Sequence, residues 1–431
     1  MINNSEPLQD DHYGEKVKNA IYFFWAGFIL YSLSYTISTS ESVNYIVCQV
    51  LQIVGLISIV SSSLVLDRWE FDSTYQFVIF SLYILWSFFT VIRGFKFTYK
   101  FFKFTLFDGT FGVFLYFAPV ILLFPRRLVY YKKVFTVIVI LGLAYIIYDI
   151  LFINKLLFPG RNLQSQAIIE YFSLHLSLPC GFLLMTFIYH SRKKILLALA
   201  VIAVTFILAS IRARRGLMFM SVSILAISFF IFYYANKLKL IVFIFSLILL
   251  ISVYFVGASV YNKNQEDLFG YITERLDENT RSGVERYFFR DMTEVDWAIG
   301  RGINGEYYCP GIDSEGFTVF RGVIETGFLQ IILKGGIISL LLLLLITIPA
   351  VYKGFFHSNN ILTKAAGIWI FLFLIDQYPA SLTAFSLNYL LVWMSVGICY
   401  SKDLREMSDD DIIRVLSEKD GISGTIAKQR N

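Results

Sequence analysis

Arginine is concentrated in one hydrophilic stretch of the chain, between Tyr261 and Arg321. The stretch carries twelve acidic and seven basic residues, and six of the basic ones are arginine, although the whole chain has 19 lysines and 18 arginines. The six are Arg275, Arg281, Arg286, Arg290, Arg301 and Arg321. A planar guanidinium donates two parallel hydrogen bonds to phosphate or carboxylate, whereas lysine is a hydrated point charge. This bias predicts an anion site, and the alternative is a solvated loop of Arg–carboxylate pairs.

Two further basic clusters directly follow long apolar runs. The first consists of Arg212, Arg214 and Arg215, in the sequence ILASIRARRG, and the second of Arg93, Lys96, Lys100 and Lys103. We predict that the arginine-rich stretch, next to the first cluster, walls an electropositive cleft. The second cluster has two open interpretations, which are guidance of a second anion and anchoring to anionic lipid headgroups.

The segment 321–339, RGVIETGFLQIILKGGIIS, has apolar residues at helical spacing and Glu325 on an adjoining face. We predict a short interfacial helix that Gly335-Gly336 breaks before the next apolar run. Glu325 is the candidate general base, because a carboxylate can accept a proton from an attacking hydroxyl. Pairing with Arg321 is the alternative. Upstream, Gly300-Arg301-Gly302 lacks a preceding buried strand, so a tight turn is favoured over a dinucleotide-binding loop.

The composition indicates which elements must position these side chains. Apolar residues make up 57% of the 431 residues, charged residues only 16%, and the mean hydropathy is +0.64. Soluble proteins carry roughly 25% charged residues. A single soluble domain, a disordered chain and a nucleic-acid-binding protein are therefore excluded. The four scattered cysteines imply no disulfide framework, and the acidic residues lack the spacing of a metal site.

Crossing a bilayer takes about 20 mostly apolar residues in a helix. Twelve such windows lie near 20–38, 44–66, 74–92, 104–124, 133–153, 168–189, 194–210, 216–234, 240–260, 336–352, 361–378 and 382–400. We therefore predict one all-α polytopic membrane domain over residues 1–431, with about twelve transmembrane helices. Residues 261–335 form a long extracytoplasmic loop with short helices, and residues 401–431 form a cytoplasmic tail.

The basic residues in short loops set the orientation, because they favour the cytoplasmic side. With the N-terminus inside, the inner short segments hold fourteen lysines and arginines and the outer ones hold nine. This favours both termini in the cytoplasm. It also places the two basic clusters and the arginine-rich loop outside, where a fixed positive charge suits an anionic substrate, unless one span is miscounted.

Four features of residues 200–345 resemble the O-antigen polymerase and ligase superfamily of membrane glycosyltransferases, including the Wzy-type polymerases. They are the arginines after the span that ends in ILASIRARRG, the single long outer loop, Arg286 followed by Trp297 and Gly300-Arg301-Gly302, and the segment ETGFLQIILKGGIISLL. The ligases commonly place a histidine where this chain has Glu325, and this departure favours a polymerase.

The resemblance implies transfer of a growing glycan from undecaprenyl diphosphate onto a lipid-linked repeat unit, at the outer face of the bacterial inner membrane and without a metal or cofactor. Arg212, Arg214 and Arg215 would clamp the diphosphate, and Arg286 and Arg290 would close on it. Arg301, Arg93 and Lys96 are further candidate substrate ligands. Partners would be the lipid-linked glycans, membrane lipids and a chain-length regulator.

Two alternatives remain at this stage. A ligase would use the same fold to move glycan onto another lipid or a protein. A transporter or flippase of lipid-linked sugars would line a path with polar residues spread through its spans, whereas the charge here is concentrated on one side.

Overall fold

The computed structural model describes residues 8–95, 97–110, 112–157, 163–235, 281–310, 319–378 and 383–417. The helices of the first half are α1 (Leu8–Ser38), α2 (Tyr45–Leu66), α3 (Thr74–Arg93), α4 (Tyr99–Phe107), α5 (Val113–Phe117), α6 (Leu128–Leu151), α7 (Ile153–Leu156), α8 (Leu163–Phe172), α9 (Cys180–Met185), α10 (Arg192–Ile211) and α11 (Arg215–Ala235). Those of the second half are α12 (Arg281–Asp291), α13 (Glu294–Ile299), α14 (Gly327–Phe356), α15 (Ile361–Asp376), α16 (Leu387–Tyr400), α17 (Lys402–Glu406) and α18 (Asp409–Ser417).

Short turns and strands complete the described part. Two 3₁₀ turns cover Ala118–Leu123 and Phe187–Tyr189, and a π turn covers Ser173–Ser177. Strands β1 (Tyr307–Tyr308) and β2 (Phe320–Arg321) pair antiparallel, with Tyr307 opposite Arg321.

Seven helices among the described residues are long and apolar enough to cross a membrane, which agrees with the predicted helical membrane protein. They are α2, α3, α6, α10, α11, α14 and the Gly14–Ser38 part of α1. The windows predicted at 104–124, 168–189, 361–378 and 382–400 contain shorter or broken helices instead. Pro119 and Pro179 contribute to two of these interruptions, because proline has no N–H to donate. The window 240–260 lies outside the described residues.

Helices α1 and α2 approach each other closely at two glycines. A Cβ atom on Gly27 would lie 2.8 Å from the carbonyl oxygen of Gly55, and one on Gly55 would lie 2.7 Å from that of Gly27. Ser58 Oγ donates across the same contact to Phe23 O at 2.8 Å. Lipid removes the hydrophobic drive for helix association, so close packing of small residues and hydrogen bonds hold such a pair together.

The end of the bundle where α3 finishes, here called the Arg93 end, gathers several connections. Lys155 Nζ, in α7, donates to Ser42 Oγ at 2.9 Å in the α1–α2 connection. The amide of Gly327, at the start of α14, donates to Gln377 O at 2.7 Å, directly after α15.

The opposite end, here called the Arg126 end, carries the other set of connections. Arg126 forms an ion pair with Asp72, and the Asn359 amide donates to Arg405 O at 2.9 Å. The two ends therefore hold different groups of charged side chains, and the Arg93 end contains the predicted site residues.

The last described helix, α18, is docked at the Arg126 end. The carboxylate of Asp409 accepts hydrogen bonds from the Tyr189 hydroxyl and from the Ile361 amide, the latter at 2.8 Å, and Ile412 is fully buried. This part of the predicted tail is thus packed against the bundle.

Candidate functional site

The turn between α10 and α11 presents its three arginines in different ways. Ala213 adopts a left-handed φ of 52°, which lets the chain reverse between the two helices. Arg212 is buried, and its Nε donates to Leu156 O at 2.7 Å. Burial lowers the pKa of Arg212 from its ordinary value. Arg214 forms an ion pair with Glu170 at 3.2 Å, whereas Arg215 is exposed.

The second basic cluster is divided by its contacts. Arg93 Nη2 donates to the carbonyls of Ile299 and Gly300, at 2.6 and 2.5 Å, and its guanidinium lies 5.3 Å from the Phe89 ring centroid. Arg93 therefore fixes the predicted glycine turn to the end of α3. Lys103 lies over the ring of Tyr45, at 4.8 Å.

The side chains of two members of that cluster lie outside the described part of the structure. Lys96 lies outside the described residues, and for Lys100 only the backbone is described. Their predicted roles stay predictions.

The predicted glycine break is confirmed inside α14. Gly336 has φ 71° and ψ −177°, so the helix stops and restarts there. The break removes helical partners from the preceding carbonyls. Leu333 O and Lys334 O accept instead from the amides of Arg301 and Gly302, at 2.7 and 2.8 Å, and Gly335 O accepts from Trp86 Nε1 at 2.8 Å. The turn after α13 thus supplies hydrogen-bond donors to two of the carbonyl groups that the break leaves without helical partners.

The glycines of this turn are needed for close approach. Gly300 and Gly302 have φ values of 72° and 81°. A Cβ atom on Gly300 would lie 2.5 Å from the amide nitrogens of Gly335 and Gly336. The glycine-dense sequence therefore serves contact with α14, as the expected tight turn requires.

Arg301 is held within its own segment. Its guanidinium donates to the Asp291 and Asp296 carboxylates, at 2.5 and 2.8 Å, and to the backbone oxygens of Asp291 and Glu306. Partial burial acts to raise the pKa of Asp296, but hydrogen bonds from Arg301 and Thr293 outweigh it and lower that pKa. Arg301 therefore stabilises the conformation of this segment. Its predicted contact with substrate stays a prediction.

Helix α12 carries Arg286 and Arg290 one turn apart, and both side chains are exposed. The opposite face of the helix packs inward through Val284 and Phe288. The Glu285 carboxylate accepts from the Thr326 hydroxyl at 2.5 Å, which ties α12 to the start of α14. Spacing i, i+4 places both arginines on one face of the helix, turned toward solvent.

The prediction that Glu325 lies on a short helix is wrong. Strand β2 ends at Arg321 and α14 begins at Gly327, so Glu325 lies in the connection between them and is exposed. The helix starts later than predicted, and before it the buried Ile324 donates its backbone amide to the Gln330 side chain at 2.9 Å. Since Thr326 bonds to Glu285, the structure still brings Glu325 next to the helix that carries Arg286.

A cavity of about 80 Å³, lined by both apolar and polar residues, lies beside the break in α14. Its polar lining consists of Tyr83, Ser87, Thr110, Tyr116, Gln330, Lys334, Ser339, Gln377, Thr383 and Tyr389. Lys334 is the one charged residue in that lining, is buried, and donates to Gly305 O at 2.9 Å. The sequence analysis missed this cavity, although a lysine next to Gly335-Gly336 in an otherwise apolar run was a signal.

The cavity and the α10–α11 turn are connected at the Arg93 end. Glu170, the partner of Arg214, is followed by Tyr171, whose ring centroid lies 5.7 Å from that of Tyr35. The Tyr35 hydroxyl accepts from the Gly109 amide at 3.2 Å, and the residue after Gly109 lines the cavity. The turn, the cavity and the α3 end thus lie at the same end of the bundle.

Within the described ranges, no group of three or more His, Cys, Asp or Glu side chains is placed to hold a metal ion. Comparison with protein-family models, curated proteins and solved structures finds no match for this chain.

Proposed function

We propose that this protein is a membrane glycosyltransferase that polymerises lipid-linked oligosaccharide repeat units at the outer face of the bacterial plasma membrane. The observation that supports this most is that basic side chains of α3, the α10–α11 turn and α12–α14 lie at the same end of a helical bundle, where a cavity lined by Lys334 adjoins the break in α14. The resemblance of residues 200–345 supplies the substrate class.

In the proposed reaction, a hydroxyl of the acceptor repeat unit attacks the anomeric carbon of the donor glycan. The new glycosidic bond forms as the bond to undecaprenyl diphosphate breaks, and the diphosphate leaves with the electron pair. Negative charge therefore grows on the phosphate oxygens, where preorganised guanidinium groups stabilise it most. The exposed Arg215, Arg286 and Arg290 are the proposed ligands of that diphosphate.

The remaining arginines have a positioning role in this proposal. Arg212 and Arg214 hold the turn that carries Arg215, through Leu156 and Glu170. Arg93 holds the glycine segment against α3 in the same way.

Glu325 is the proposed base that accepts the proton of the acceptor hydroxyl. Glu325 is exposed and directly precedes Thr326, whose hydroxyl donates to Glu285 of α12 at the start of the cavity helix α14. A Glu325→Gln variant is then expected to bind lipid-linked substrate normally and to turn over slowly.

The glycan profile of a deletion strain tests the proposed function. Single repeat units on the lipid carrier are expected to accumulate, and complementation with Arg215→Ala should fail to restore polymer. The matched control is Lys364→Ala, an exposed residue of α15 near the Arg126 end, which should restore polymer fully. Full-length polymer left on its carrier would instead indicate a ligase, and an unchanged profile would contradict both activities.

Orientation has its own test. Glu294→Cys and Lys364→Cys place exposed thiols near the two ends, while the four native cysteines are buried. A membrane-impermeant maleimide should label the first variant in intact cells and the second only after lysis. The reverse pattern would put the Arg93 end in the cytoplasm and defeat the proposal.

A further inference from the structure

The cavity beside Gly336 differs from an ordinary packing defect in its lining. Ten of its lining residues are polar, and Lys334 is nine-tenths buried, since 9% of its surface is exposed. A void of about 80 Å³ has room for roughly two or three water molecules. We propose that this cavity is a binding site for a single oxyanion group, a phosphoryl or a carboxylate, with Lys334 as its charged ligand.

The charge balance of the cavity supports an anion. The Lys334 ammonium has three N–H donors, and its single hydrogen-bond acceptor among the described residues is Gly305 O. None of the lining residues is Asp or Glu. The Glu306 carboxylate acts electrostatically on Lys334 but does not line the cavity. A bound anion would place a counter-charge inside the cavity itself, where a buried ammonium is costly to leave unpaired.

The neutral lining fits the same ligand. Tyr116, Ser339 and Thr383 line the cavity and carry hydroxyl groups, which can donate to anionic oxygen. Gly335 and Ser339, which flank the break, also line the cavity. The second half of α14 therefore begins beside the cavity, and the positive end of its helix dipole favours negative charge there.

The size of the cavity limits the ligand. A volume of about 80 Å³ admits one phosphate or carboxylate group and is too small for a sugar ring with its hydration. The group can belong to the lipid carrier or to an acidic sugar, and both present the same charged oxygens. The site does not depend on the proposed glycan transfer, because binding can be measured without any glycan.

Calorimetric titration of the full-length chain in lipid nanodiscs tests the site, with inorganic phosphate and sodium acetate as probes at pH 7 and constant ionic strength. Lys334→Gln keeps a donor for Gly305 O but removes the charge, and we expect it to weaken binding by about 30-fold. Lys364→Gln is the matched control and should bind as the wild type does.

Tyr116→Phe removes one hydroxyl from the wall and keeps the ring, so it should weaken binding about fivefold. This variant carries the test if Lys334→Gln does not elute as a single species. Binding of phosphate alone assigns the site to a phosphoryl group, and binding of acetate assigns it to a carboxylate. Binding of neither probe, or binding that both variants leave unchanged, overturns the proposal.

Discussion

The arginines at the Arg93 end fall into two groups that differ in what their guanidinium groups contact. Arg93 and Arg301 donate to carbonyl and carboxylate oxygens of the glycine segment and its neighbours. Arg286 and Arg290, one helix away, are exposed on the surface of α12. Arginine thus has two uses here. Arg93 and Arg301, called the frame residues, hold segments of the structure together, whereas Arg286 and Arg290, called the presented residues, face solvent. Substitutions should separate the two groups, because frame residues affect folding and presented residues affect function.

The largest loss of stability is expected where the glycine segment packs against the break in α14. Gly336→Ala puts a side chain on a residue with φ 71°, a conformation that residues with a Cβ atom rarely adopt. The new Cβ atom would also overlap the carbonyl oxygen of Ala298. We expect a loss of about 3 kcal/mol or more in the free energy of unfolding. Thermal unfolding in detergent measures it, with Gly14→Ala as control, since a Cβ there meets nothing within 4 Å. Equal stability of the two variants would show that the glycine segment does not pack against the break as described.

A smaller, pH-dependent effect is expected at Arg301. The pKa of Asp296 is lowered, so its contribution to stability is present above its ordinary pKa of about 4 and is lost as the pH falls through the lowered value. Arg301→Gln should therefore unfold more easily than wild type at pH 7. That difference should shrink between pH 7 and pH 3, as the pH falls below the ordinary pKa of Asp296.

Limited proteolysis of the 281–310 segment at both pH values provides the measurement, with Arg321→Gln for comparison. A difference between wild type and Arg301→Gln that stays constant from pH 7 to pH 3 would exclude Asp296 as the titrating partner.

The smallest effect on stability is expected for the presented residues. Arg286→Ala and Arg290→Ala remove exposed side chains, so unfolding should change by about 0.5 kcal/mol or less. Polymer formation in a complemented deletion strain should nevertheless fall at least about tenfold if each guanidinium stabilises the leaving diphosphate. Normal polymer in both variants would remove α12 from the proposed mechanism.

The fold was predictable where a local pattern decides it. Long apolar runs gave the spans, because a helix satisfies its own backbone in lipid. The pair Gly335-Gly336 gave the break in α14, because glycine reaches φ values that other residues avoid. Other predicted windows, such as 168–189, contain interrupted helices. Hydropathy alone does not show where a helix is interrupted.

The candidate site was less predictable, because its geometry depends on contacts between distant segments. The partners of Arg93 lie more than 200 residues away, in the glycine segment. Nothing local distinguishes Arg301, fixed by Asp291 and Asp296, from the exposed Arg286. The sequence does not single out Lys334, because a lone lysine in an apolar helix is also typical of an interfacial anchor. Only the fold shows that Lys334 lines a cavity.

Docking of α18 bears on how the chain is made. Asp409 joins Tyr189 and the start of α15, two segments that are translated long before it. Domains generally acquire structure from the N-terminus during synthesis. Here the Arg126 end stays incomplete until residue 409 has left the ribosome, so this contact forms only after all the described candidate spans have been synthesised.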